Sequence, residues 1–238
     1  MRIFQIIATL LHYPDESLWR HVEPLRQALT EEAVLNAAEQ DALDGFLDDL
    51  IGHDLIDAQA RHVDTFDRGR ARSLYLFEHV YGESRDRGQA MVELNRLYRR
   101  HGYVISAREL PDYLPLYLEF LSRLPPGEAL ERLGEIGGLV QHLYAQLVER
   151  RNRHAVLLEP LLRLCGLDGN DPLLHERIAA EVPDDTPAAL DAVWMEAPVT
   201  FGTADGTGCS AGQRPVEQSI QWRDRRVSGN PSRHGGDE

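Results

Sequence analysis

The sequence contains no lysine, since all 25 of its basic residues are arginine. This absence excludes the lysine of a P-loop, a Schiff-base lysine and any serine–lysine catalytic pair. The sequence also lacks a G-x-G-x-x-G loop, and Ser84, Ser106 and Ser122 each lack the G-x-S-x-G context of a nucleophilic serine. These absences exclude several common catalytic arrangements and leave other kinds of active site open.

Cysteine is scarce: Cys165 and Cys209 are the two in the chain, far apart and outside any C-x-x-C pair. They imply neither a disulfide framework nor a cysteine-rich metal site, and they favour a reducing compartment. The opening segment lacks a small-residue cleavage site, and no apolar run approaches the roughly 20 residues that span a bilayer. We expect a cytoplasmic protein without stable membrane insertion and without a bound cofactor or metal.

The formal net charge is −14, which argues against nucleic acid as a partner because phosphate binding needs a basic surface. The negative charge is densest between Glu31 and Asp67, where Arg61 is the only lysine or arginine. Such a stretch is either a solvated helix face or an acidic surface that attracts a basic partner. The sequence alone leaves both interpretations open.

Helical spacing of apolar residues dominates the first two-thirds of the chain. Leu18, Val22, Leu25 and Leu29, for example, recur at i, i+4, i+7 and i+11, whereas alternating runs of β-branched residues are lacking. The pattern predicts an all-α fold of about eight to nine helices up to residue 166, followed by two further helical pieces.

The composition changes after residue 201. Glycine, serine, aspartate and arginine then prevail without periodicity, and such a segment cannot bury enough apolar surface to become ordered. We predict one globular helical domain over residues 1–201 and a flexible, disordered tail over residues 202–238.

The stretch from Glu109 to Pro126, ELPDYLPLYLEFLSRLPP, combines apolar density with internal prolines. Because proline is tolerated in a first helical turn, Pro111 and Pro115 predict a helix start near Asp112. The aromatic residues Tyr113, Tyr117 and Phe120 share one face of this helix. The acidic residues Asp112 and Glu119 share another face. The aromatic face is either core or the floor of an acid-rimmed groove for an arginine-bearing amphipathic peptide.

A second stretch, Tyr75 to Gly102, breaks a local rule at its second helix. Arg85 and Arg87 lie in the first helical turn, where the helix dipole disfavours cations. Either an intrahelical network with Glu83 and Asp86 compensates for this, or the arginines serve a binding role.

The His53-Asp54 dipeptide resembles the centre of a metal-dependent HD-type phosphohydrolase, which needs several converging histidine and aspartate ligands. A lone pair at a helix break in an acidic segment is more typical of surface or capping residues than of a metal site. An HD-type hydrolase and a helical adaptor without a redox client are therefore the alternative functions.

Three blocks of the sequence resemble the respiratory nitrate reductase delta subunit, a family of molybdenum cofactor assembly chaperones among the redox-enzyme maturation proteins. The blocks are Leu10–Trp19, Phe77–Gly102 and Glu109–Pro125, with a weaker echo at Leu190–Gly202. The resemblance implies an all-helical chaperone with no catalytic residues and no enzymatic activity of its own. It implies binding of the cofactorless catalytic subunit of nitrate reductase, through that subunit's N-terminal peptide, so that the subunit stays competent for molybdenum cofactor insertion. It also makes molybdenum cofactor biosynthesis proteins candidate partners.

The wider group carries an E-x-P-D-H type motif, which Glu109, Pro111 and Asp112 match, while Tyr113 replaces the histidine. From this resemblance and the two stretches above, we predict a client-binding surface composed of Glu109, Pro111, Asp112, Tyr113, Tyr117, Glu119, Arg85, Arg87 and His79.

Overall fold

The computed structural model describes residues 1–81, 85–105 and 109–194. These residues form α-helices joined by short turns and contain no β-strand, which confirms the predicted all-α class. The helices are α1 (Arg2–Leu11), α2 (Glu16–Arg20), α3 (Val22–Thr30), α4 (Ala37–Ile51), α5 (Leu55–Phe66), α6 (Glu78–Tyr81), α7 (Arg85–Arg100), α8 (Leu114–Arg123), α9 (Pro126–Glu149), α10 (Ala155–Cys165), α11 (Pro172–Ala179) and α12 (Pro187–Trp194), with a 3-10 helix at Arg70–Arg72.

Ten α-helices precede Gly166 in the described residues. Two of them are too short for an apolar stripe to reveal, because α2 spans 5 residues and α6 spans 4. The remaining eight helices agree in number with the predicted eight to nine. The two helical pieces expected beyond Gly166 are α11 and α12.

Proline and glycine mark helix ends as the sequence predicts. Pro115 is the second residue of α8, where its missing N–H would have no intrahelical partner. Gly166 ends α10 with a φ of 70°, a left-handed conformation that glycine adopts without steric cost.

The core lies where α1, α8, α9 and α10 meet. Helix α1 packs along α8 and also contacts α3 and α10, while α9 packs against α10, α11 and α8. Four side chains on one face of α1 have no exposed surface: Ile3, Phe4, Ile7 and Leu11. Since burial of each such side chain contributes roughly 1.5–3 kcal/mol, this face fixes α1 against the bundle.

Within the described residues, no helix is long and apolar enough to cross a membrane. The predicted tail, residues 202–238, lies outside the described residues, so the boundary at residue 201 stays a prediction.

An ion pair between a buried carboxylate and an arginine that is 42% exposed joins α4 to α10. Glu39 caps α4, since its side chain accepts from the Asn36 N–H at 2.9 Å, and its carboxylate is only 7% exposed. Arg163 donates to both carboxylate oxygens, at 2.6 and 2.9 Å. Burial alone would raise the pKa of Glu39, but the bonds from Arg163 and Asn36 outweigh it and hold the pKa below its usual value.

We expect Arg163→Ala to lower the free energy of unfolding by about 2 kcal/mol at pH 7, because it leaves a buried carboxylate without its charged donor. The depressed pKa of Glu39 means that its contribution exists above about pH 4.5 and is lost as the pH falls through the lower folded-state pKa. Urea unfolding should therefore show the wild type and Arg163→Ala converging at acidic pH.

Arg123→Ala is the matched control. Arg123 lies 3.9 Å from Glu119 with both side chains more than half exposed, so its removal should cost less than about 0.5 kcal/mol. Equal losses in the two variants, or a loss in Arg163→Ala that does not depend on pH, would contradict this assignment.

Candidate functional site

The segment before α8 crosses the segment before α6 in an isolated antiparallel bridge between Tyr75 and Tyr113. The Leu76 N–H donates to the Asp112 carbonyl at 3.0 Å, and the Leu114 N–H donates to the Leu74 carbonyl at 2.8 Å. These hydrogen bonds connect two of the stretches that the sequence singles out. We call this crossing the latch.

Asp112 lies inside the latch with no exposed surface. Its Oδ2 accepts from the Phe77 N–H at 3.0 Å. Burial raises the pKa of the Asp112 carboxyl, while the Phe77 hydrogen bond and the nearby charge of Arg87 oppose that shift. The interpretation in which this carboxylate faces a basic peptide is therefore wrong for direct contact, because protein atoms cover it completely.

Helix α8 begins two residues later than predicted, at Leu114, with Tyr113 as its N-cap residue. Asp112 hence belongs to the turn that precedes α8 and does not share a helix face with Glu119. The physical reason is the bridge, which holds the backbone around Tyr113 extended (φ −65°, ψ 116°).

The aromatic face of α8 is core. Tyr117 and Phe120 are 3% and 6% exposed, and the Tyr117 hydroxyl donates to the Arg132 carbonyl at 3.3 Å. Tyr98 packs on Phe120 with ring centroids 4.8 Å apart and donates from its hydroxyl to the Pro111 carbonyl at 2.7 Å. Of the two interpretations of this face, the structure shows the core rather than the groove floor.

A cleft of about 640 Å³ lies beside that face, between α1, α2, α3 and the start of α8. We call it the α1–α8 cleft. Its apolar lining consists of Ile6, Ala8, Leu18, Pro24, Leu25, Ala28, Tyr113, Pro115 and Leu116. Its polar lining consists of Arg2, Gln5, Thr9, His12, Tyr13, Asp15, Ser17, His21, Glu109 and Glu119.

The rim of the α1–α8 cleft is acidic, with three carboxylates and one arginine among its lining residues. Glu109 accepts from the Tyr75 hydroxyl at 2.9 Å, and Glu119 is about half exposed. Arg2 is already paired with Glu31 at 2.9 Å. An apolar floor under a net negative rim suits an amphipathic ligand with basic groups.

Three of the predicted residues meet at this cleft: Glu109, Tyr113 and Glu119. Two other predicted residues do not line the cleft but hold the segment before α8 in place. The Pro111 carbonyl accepts a hydrogen bond from the Tyr98 hydroxyl, and the Asp112 carboxylate accepts one from the Phe77 N–H.

The remaining predicted residues lie elsewhere. Arg87 pairs with Glu78 at 3.3 Å, and His79 donates from Nε2 to the Ser73 carbonyl at 2.8 Å while facing the His142 ring. Tyr117 is buried in the core. The side chain of Arg85 lies outside the described residues.

The sequence prediction missed the wall formed by α1. Gln5, Thr9 and His12 interrupt its apolar run at i, i+4 and i+7, and all three line the cleft. This polar stripe on an otherwise apolar helix was the available signal, because a helix with one face in the core presents the opposite stripe to solvent.

The His53-Asp54 pair has a local structural role. The Asp54 side chain accepts from the Asp57 N–H at 2.8 Å and so caps α5, in agreement with the capping interpretation. In the part of the chain that the structure describes, no group of three or more histidine, cysteine, aspartate or glutamate side chains is arranged to hold a metal ion.

Comparison with known families shows the class of protein to which the chain belongs. The chain matches the family model of the nitrate reductase delta subunit over residues 15–155, and it belongs to that family. The matched region includes the latch and the part of the cleft formed by α2, α3 and α8.

Individual relatives are similar over most of their length. The chain is 49% identical over 206 residues to the nitrate reductase molybdenum cofactor assembly chaperone NarJ of Escherichia coli strain K12, covering 87% of each chain. It is 41% identical over 211 residues to the probable chaperone NarW of the same strain, covering 89% of this chain and 88% of the relative. A probable NarJ of Bacillus subtilis strain 168 is 31% identical over 159 residues, covering 67% and 85%.

We expect Asp112→Ala to lower the free energy of unfolding by about 2 kcal/mol, because the Phe77 N–H loses its acceptor in a partly buried place. Asp112→Asn should cost less, since an amide oxygen replaces the carboxylate oxygen and the buried charge is removed. The raised pKa of Asp112 makes its protonated form favourable to folding at low pH, an advantage that declines as the pH rises through the folded-state pKa. The free energy of unfolding of Asp112→Asn, relative to that of the wild type, should thus be higher at pH 7 than at acidic pH.

Urea unfolding of both variants at neutral and acidic pH measures this difference. If Asp112→Asn were as destabilised as Asp112→Ala at pH 7, the carboxylate would be needed as a charge rather than as an acceptor.

Proposed function

We propose that this chain is an assembly chaperone of a molybdenum-dependent nitrate reductase. It binds the catalytic subunit before the molybdenum cofactor is inserted, and the α1–α8 cleft receives the N-terminal segment of that subunit. Membership of the delta subunit family supports nitrate reductase as the client. The names of the relatives, nitrate reductase molybdenum cofactor assembly chaperones, support it too. We expect this binding to take place in the cytoplasm.

The observation that carries the site is the pairing of an apolar floor with an acidic rim in one cleft. An amphipathic helix gains roughly 25 cal/mol for each Å² of apolar surface that it buries there, less the free energy needed to order it. The carboxylates raise the association rate of basic segments and disfavour acidic ones. A chaperone that must find one client among many proteins needs both effects.

The size of the cleft supports a peptide rather than a folded domain as the ligand. A volume of about 640 Å³ lies within the range of pockets that bury a drug-sized molecule. Such a pocket holds a few side chains of a helix or extended segment. The remaining contacts with the client then come from the surface around the cleft.

The predicted residues have different roles in this proposal. Glu109 and Glu119 attract basic side chains, and Tyr113 contributes to the floor. Pro111 and Asp112 act as positioning residues, because they hold the latch that carries Glu109 and Tyr113.

The other predicted residues belong to a second region of the client surface in this proposal. Arg87 and His79 lie on α7 and α6, and Arg85 precedes Arg87 in α7. Tyr117 contributes through the core that supports α8. We extend the proposal to a transient contact with molybdenum cofactor biosynthesis proteins, for which the sequence resemblance is the support.

Deletion of the gene should leave the nitrate reductase polypeptides present but poor in molybdenum, because the catalytic subunit would lack the chaperone that keeps it competent for insertion. Molybdenum per purified catalytic subunit, measured by mass spectrometry, tests this, with re-expression of the wild-type chain as the control. Normal molybdenum content in the deletion strain would favour an adaptor without a redox client.

We expect Glu119→Gln to weaken binding of a peptide from the N-terminus of the catalytic subunit by about two- to fivefold at low salt. Leu116→Ala should weaken it further, because it removes apolar floor from a half-buried position. Neither change removes a core side chain, so the thermal melting temperature should fall only slightly.

Isothermal titration calorimetry provides the affinities. Glu131→Gln is the matched control, since Glu131 is an exposed acid of α9 outside the cleft. The site is assigned incorrectly if Glu131→Gln and Glu119→Gln weaken peptide binding equally, or if Leu116→Ala leaves it unchanged.

A further inference from the structure

A second cleft, of about 440 Å³, lies between α4, α5, the 3-10 helix and the turn from α9 to α10. Five arginines line it: Arg61, Arg72, Arg150, Arg151 and Arg153. We call it the arginine cleft. Three aspartates also line it, so its formal charge is +2 in a chain whose net charge is −14.

Two aspartates are each shared between two guanidinium groups. Asp185 accepts from Arg72 at 3.0 Å and from Arg150 at 2.8 and 3.2 Å. Asp49 lies 3.0 Å from Arg153 and 3.7 Å from Arg61.

The third aspartate of the arginine cleft, Asp64, is engaged by Arg68 at 2.8 Å. Arg151 makes no side-chain hydrogen bond or ion pair with the described residues. Positive charge in the cleft thus exceeds what its own carboxylates neutralise.

Arg72 is the buried member of this group, with 3% of its surface exposed. Its Nε donates to the Thr65 carbonyl at 2.9 Å, and its Nη2 donates to Asp185. Its Nη1 is buried and has no hydrogen-bond partner among the described residues. Because an unsatisfied buried donor on a charged group is costly, an additional acceptor in this cleft would stabilise the arginine.

Arg151 has an unusual backbone conformation. Its φ is 51°, in the left-handed region that favours glycine at the end of a helix. The Asn152 N–H donates to the Leu147 carbonyl at 2.9 Å, and the Arg151 N–H donates to the Val148 carbonyl at 2.8 Å. Helix α9 therefore ends with the hydrogen bonds that usually accompany a glycine at this position. The helix dipole favours cations at this end, but it does not require an arginine in a strained conformation.

We propose that the arginine cleft binds a phosphate-bearing small molecule, which displaces the Asp185 carboxylate from Arg72 and Arg150. Guanidinium groups bind phosphate oxygens in pairs of parallel hydrogen bonds. A phosphate monoester carries about −1.5 to −2 charges at pH 7, so it competes well with a single carboxylate. The volume suits a small ligand, and Asp185 occupies the guanidinium pair when that ligand is absent.

Titration of the full chain with inorganic pyrophosphate and with glycerol 3-phosphate tests this proposal, in calorimetry at constant ionic strength. We expect Arg150→Gln and Arg151→Gln each to weaken binding about tenfold, as loss of a charge-assisted hydrogen bond does. Asp185→Asn removes the competing charge and should tighten binding about three- to tenfold. Arg99→Gln, an exposed arginine of α7 outside the cleft, should change nothing.

Arg151→Gly separates a ligand role from a structural one. Glycine relieves the left-handed strain, so the melting temperature should rise by about 2–4 °C while pyrophosphate affinity falls. If both probes bind, the site recognises a single phosphoryl group. If pyrophosphate alone binds, the site recognises a diphosphate. Either outcome supports the site. The proposal is overturned if neither probe binds the wild type or Asp185→Asn, or if Arg99→Gln weakens binding as much as Arg151→Gln.

Discussion

The buried carboxylate of Asp112 holds together two chain segments whose bonded residues are 35 positions apart in sequence. Its hydrogen bond to the Phe77 N–H, with the flanking backbone bridge, fixes where α8 begins and how the preceding segment runs. The tilted rings of Tyr75 and Tyr113 consequently pack with their centroids 5.3 Å apart, and the Tyr75 hydroxyl donates to the Glu109 carboxylate. One wall of the α1–α8 cleft depends on this arrangement, because Glu109 and Tyr113 belong to it.

The opposite wall depends on α1, which serves the core and the cleft at once. Its apolar face is fully buried against α8 and α10, and its polar stripe lines the cleft. A helix anchored in this way holds its exposed side chains in fixed positions, which lowers the conformational entropy lost on binding a peptide. In the proposed function, the mobile partner is the client segment, and the chaperone supplies a preformed surface.

Opposite charges are segregated within this acidic chain. The α1–α8 cleft has a net negative rim, whereas the arginine cleft has a formal excess of positive charge, and the two share no lining residue. Tyr13 lines the first and Pro14 the second, so the turn after α1 separates them. The opposite charges of the two clefts favour different ligands, a basic peptide in the first and a phosphate-bearing molecule in the second.

The sequence by itself determined the helices, many of their ends and the family. Apolar spacing, Pro115 and Gly166 act within a few residues, so local propensity and steric rules are sufficient to predict them. Only the tertiary structure decided that Asp112 and Tyr117 are buried, that Glu109 and Glu119 line the same cleft as Gln5 and Thr9, and that arginines from three separate segments share one cleft. Burial and proximity depend on which helix faces pack together across long sequence separations. An amphipathic pattern predicts that a helix face is buried, but it does not identify the element that packs against that face.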